Sequence, residues 1–154
     1  MLAARLGQII ESHPEDLTGE AIQDLQSNPL TPHYHHLPYQ ELRDRTYTVY
    51  RNLAECIRQG SDEMIAVDYS KLAACRYSEA FPLREVVAAL MATKNHLINF
   101  VQNSGMVDLS AELRQSKQLL DRIGSFFDQA IYHAVRAYEE KLTAEYREPK
   151  AKAA

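Results

Sequence analysis

Between Leu109 and Tyr146 the chain contains no proline and one glycine, and its apolar residues return with heptad spacing. Leu113, Leu120, Phe127 and Ala134 form one row, with Leu109, Ser116, Ile123 and Ala130 beside it. Repeats at that interval lay one apolar stripe along a single helix. At 1.5 Å per residue such a helix extends roughly 57 Å, more than a domain of this size can cover. The spacing therefore predicts a rod that closes a helical bundle and also offers part of its face to a second chain. Leu113, Leu120, Phe127, Ile131, Val135 and Tyr138 are the residues expected to hold that seam or core.

Prolines at 14, 29, 32, 38, 82 and 149 cut the rest into helices of unequal length, and no stretch alternates as a strand would. Leu2 to Ser12 has helical spacing and ends before Pro14, because the residue preceding proline is pushed out of the helical region. A short helix follows from Asp16 or Thr18 to Ser27. The span from Asn28 to Pro38 is the one sizeable irregular connection. Tyr39 to Gln59 carries Leu42, Thr46, Val49, Leu53, Cys56 and Ile57 on one stripe, with Gly60 placed for a left-handed cap. Ser61 offers a start for a helix to about Tyr77, with Met64, Val67, Leu72 and Cys75 expected inward. Pro82 suits the first turn of a helix running to Asn103, with Gly105 beyond its end. The expectation is an all-α domain of five to six helices over 1–146, followed by a charged, alanine-rich linker or disordered tail at 147–154.

A net charge of -4 and a pI near 5.9 give no basic excess to draw nucleic acid or anionic lipid. No stretch approaches the roughly 18 apolar residues that span a bilayer. Cys56 and Cys75 lack the close pairing of metal or redox motifs and read as small core residues in a reducing cytoplasm.

His33, His35 and His36 invite a metal, since imidazole is a common ligand, but their spacing is not that of an ordered site and Glu41 is the only nearby acid. His96 and His133 lie within helices as conceivable haem ligands, yet a lone helical histidine is more often a hydrogen-bonded packing residue. A haem- or metal-binding helical sensor built on these histidines is the alternative reading. No phosphate loop, metallohydrolase helix or nucleophile elbow is present, so no enzyme and no cofactor is expected. Tyr47, Tyr50, Tyr69, Tyr77, Tyr132 and Tyr138 all fall on helices, where an apolar ring with a polar tip suits a core rim or an interface.

Three segments carry a resemblance: Ile57-Arg58-Gln59-Gly60, Arg76-Tyr77-Ser78-Glu79-Ala80-Phe81-Pro82-Leu83, and Arg84-Glu85-Val86-Val87-Ala88-Ala89-Leu90. Together with Phe126-Phe127-Asp128 and Ala137-Tyr138-Glu139 on the last helix, they resemble the N-terminal sensor domain of RsbR/RsbRD-type stress-signalling proteins. The resemblance covers about Leu2 to Tyr146. It implies a globin-like bundle without haem that forms a homodimer and passes a signal through its C-terminal helix to an effector or kinase. The chain would then be a stand-alone relative or an excised sensory module. The 28–38 loop has no counterpart in that pattern, and no ligand residue carries over.

Overall fold

The computed structural model describes residues 2–103 and 113–153. Among these, every regular element is helical, and none is long and apolar enough to cross a membrane. The elements are α1 (Leu2–Ser12), α2 (Pro14–Ser27), a 3-10 turn (Pro32–His36), α3 (Tyr39–Gln59), α4 (Glu63–Ser78), α5 (Leu83–Asn103) and α6 (Leu113–Ala153). Gly105 and Leu109 lie outside the described residues.

Proline sets the first boundaries. α2 begins at Pro14 itself, earlier than Asp16, because proline suits the first turn, where its missing N–H costs nothing. The break is a single residue: the His13 N–H still donates to the Ile9 carbonyl at 2.8 Å. α3 ends as its sequence dictates, with Gly60 at φ 65° and a paired bond from the Ser61 N–H to the Cys56 carbonyl. The 28–38 connection is tied down at several points. The Asn28 side chain accepts from the Leu30 N–H at 2.9 Å, the Thr31 hydroxyl donates to the Leu25 carbonyl at 3.0 Å, and Tyr34 is buried.

α6 packs chiefly on α4 and then on α5, while α1 and α2 cover α3. Partners along α4 and α6 advance together. Asp62 meets Gln129, Ser70 meets Arg136, and Tyr77 meets Tyr138, so the two helices run parallel. Between them Tyr69, Phe126 and Phe127 stack edge to face, all fully buried.

The inward face of α4 is Ile65, Tyr69, Ala73 and Arg76, with Leu72 half-buried. Met64 and Val67, expected inward, are exposed, and Cys75 is exposed as well, so only Cys56 is a core cysteine. The stripe rotates by one residue because Tyr69 and Arg76, amphipathic residues with polar tips, take core positions alongside Ile65.

The seam residues of α6 divide. Phe127 and Tyr138 are core, Leu120, Ile131 and Val135 are half-buried on a flank, and the side chain of Leu113 lies outside the described residues. From Ser116 to Tyr138 the helix is held by the bundle; residues 139–147 are all exposed, Leu142 and Tyr146 among them. The helix extends to Ala153, through Pro149.

Candidate functional site

The corner between α4 and α5 is where chemistry gathers. α4 ends in the same paired-bond motif as α3, the Phe81 N–H donating to the Arg76 carbonyl and the Ala80 N–H to the Tyr77 carbonyl, both at 3.0 Å. The left-handed position is taken by Ala80 at φ 64°, which a side chain occupies only under strain. That turn presents the Phe81 ring to Tyr34, edge to face at 4.8 Å, and to His33 at 5.6 Å.

Charged groups stand on three helices around it. Arg45 of α3 reaches Glu41 at 2.5 Å and Glu79 at 2.7 Å through one nitrogen, Nη2. Arg76, at the end of α4, reaches the other oxygen of Glu79 at 3.1 Å. Both guanidinium groups are mostly buried, with side chains 18% and 11% exposed. Burial works to raise the Glu79 carboxyl, but Arg45 and then Arg76 outweigh it and hold the group below its ordinary range. Burial raises the Tyr34 phenol against the opposing pull of Arg76, whose side chain hydrogen-bonds it.

Glu85, the third residue of α5, is 1% exposed. It receives the His33 main-chain N–H at 2.7 Å and pairs with the His33 ring Nδ1 at 2.5 Å. A carboxyl group in a core is tolerated when such partners replace its water. The 3-10 turn is thereby latched to α5.

Beside the guanidinium groups lies a cavity of about 30 Å³. Leu25, Leu42, Val49, Leu72, Val86 and Leu90 form its apolar wall, and Arg45, Arg76, Tyr34 and two threonines its polar side. Arg45 Nη1 is buried there with no hydrogen-bond partner among the described residues.

The corner also touches the long helix. The Tyr138 hydroxyl donates to the Phe81 carbonyl at 2.9 Å, the Tyr77 ring stacks on Tyr138 at 5.4 Å, and Tyr77 hydrogen-bonds Glu145.

The histidines do not converge. His33 is on Glu85, His35 Nε2 is 2.7 Å from the Asn28 carbonyl oxygen, and His36 is exposed. His96 binds Asp24 of α2 at 2.9 Å, whereas His133 sits beside Arg136 on α6 at 3.4 Å. Among the described residues no group of three or more His, Cys, Asp or Glu side chains is arranged to hold a metal.

Spacing singled out neither Arg45 nor Glu85. The signal was a charge in an inward register: Arg76 stands eleven residues after Ile65, and Glu85 precedes the inward Val86 and Ala89. No family model, curated protein or solved structure matches this chain.

Proposed function

We propose that the protein is a non-enzymatic sensory module of globin-like type, in which the state of the α4–α5 corner is relayed along α6 to a second protein, first of all another copy of the chain. One observation carries this reading. α6 is bonded to the corner at Tyr138 and, through Tyr77, at Glu145, while its residues 139–147 are all exposed. A change of packing at the corner acts on the base of a lever whose outer residues are exposed and can be touched by a partner.

The chemistry of the corner favours binding over turnover. Glu79 is shared by two guanidinium groups and Glu85 is taken up by His33, so each carboxyl group is engaged in holding the structure. The resemblance to the RsbR-type sensor domain points the same way, because its quoted segment from Arg76 to Leu83 builds this corner.

Analytical ultracentrifugation tests the association half. Leu142 is 52% exposed on the 139–147 segment, so Leu142→Glu leaves the core untouched. The expected result is a dimer for the native chain and a monomer for Leu142→Glu at equal helicity. A native chain that sediments as a monomer throughout removes the second copy from the proposal.

A further inference from the structure

Asp128, Ile131, Val135, Glu139, Leu142 and Tyr146 follow one another on α6 at intervals of three or four residues. At 3.6 residues per turn they share one face, within about 80° of arc, and form a row about 27 Å long. Ile131 and Val135 are half-buried at the flank of the bundle, and the other four are exposed, Leu142 by 52% and Tyr146 by 72%. Arg136 and Arg147 border the row on the same side as its two carboxylates. Asp128, Glu139 and Arg147 enter no ion pair within the chain among the described residues. A second copy laid parallel on this row sets Asp128 on Asp128 and Glu139 on Glu139, two like-charge contacts that oppose association. Laid antiparallel, with a two-fold axis at about residue 138, the same row is self-complementary. Ile131 then meets the partner's Tyr146, Val135 the partner's Leu142, Arg136 the partner's Glu139, and Arg147 the partner's Asp128.

From this pattern of charge and apolar residues we infer that two copies of the chain pair antiparallel along the α6 row, crossing near residue 138. This rests on the reading of α6 as the surface for a second copy and names how the two copies meet. The bundle holds α6 from Ser116 to Tyr138, so the two bundles come to lie at opposite ends of the pair. Leu142 of each copy is covered by the flank of the other at Val135, one turn before the tyrosine that bonds the corner. The corner of each chain is thereby coupled to the rod of its partner as well as to its own.

Mild oxidation of chains with one introduced cysteine tests the arrangement, in a Cys75→Ser background where Cys56 is buried. Position 139 lies beside the axis, so Glu139→Cys is expected to form a disulfide with its own copy. Tyr146→Cys is expected to stay reduced, since in the antiparallel pair the two positions 146 stand about 24 Å apart along the helices. Sedimentation supplies the second arm. Arg147→Glu should weaken association by at least about threefold, and Asp128→Arg added to it should restore the native value. Positions 128 and 147 are about 28 Å apart on one helix, so that rescue acts between copies and only in an antiparallel pair. Disulfide formation by Tyr146→Cys as fast as by Glu139→Cys overturns the antiparallel pair and leaves a second copy as the partner. So does a dimer in which Asp128→Arg gives no rescue. A native chain that stays monomeric overturns this inference together with the second copy on which it rests.

Discussion

Ala80 and Gly60 occupy the same place in the same helix-ending motif, at φ 64° and 65°. Glycine adopts that conformation freely and alanine does not, so Ala80→Gly should raise stability by about 0.5–1 kcal/mol, read from urea midpoints. Gly60 was legible in the sequence because glycine announces a left-handed cap, whereas Ala80 was not, since nothing in the residue marks the turn it is made to form. Glu79 was equally silent, as its importance comes from two arginines on different helices. Its carboxyl group is held below the ordinary range, so it stabilises the fold above the unfolded-state value and loses that contribution as pH falls through the folded one. The urea midpoint of the native chain should therefore drop as pH falls below about 4.3, the ordinary value for a glutamate, and Glu79→Gln should flatten that limb.

At the scale of elements, periodicity gave the helices and missed one rotation. α3 and the buried half of α6 face as their apolar spacing requires, with Leu42, Val49 and Leu53 inward on one and Ile123, Phe127, Ala130 and Ala134 on the other. α4 turned by a residue because it buries Tyr69 and Arg76, and whether an amphipathic side chain goes inward depends on partners such as Phe126 and Glu79 that local sequence does not contain. The same rule placed Tyr138. Its hydroxyl bond to the Phe81 carbonyl is one of two polar links from the corner to α6 among the described residues, the other being Tyr77 to Glu145, and Tyr138→Phe should cost about 1 kcal/mol in thermal or urea unfolding. Phe127→Ala should cost about 3–5 kcal/mol, because that ring is wholly within the core. It reports on folding, which leaves Leu142 as the cleaner probe of association.

For the whole molecule, two phenols join the corner to the rod. Burial pushes Tyr138 up to about 12, and a hydrogen bond to Glu145, with burial second, brings Tyr77 up to about 12. The folded chain thus favours their neutral forms. The stability they contribute is complete below about pH 10 and lost as pH rises toward 12. Denaturation midpoints should fall across that window, with a smaller fall in Tyr77→Phe and Tyr138→Phe. What the sequence disclosed at this scale was the length of the rod; what it withheld was the point at which its burial stops, just past Tyr138, because that is fixed by where α4 ends in space. The claim that the corner governs the rod is tested most directly by a spin-label distance between Thr143 on the 139–147 segment and Thr48 on α3, both exposed, in a background with the exposed Cys75 replaced by serine. Pulsed measurements should give one narrow distribution in the otherwise native chain and a shifted or broadened one when Tyr138→Phe cuts the link. Identical distributions in the two proteins would contradict the account.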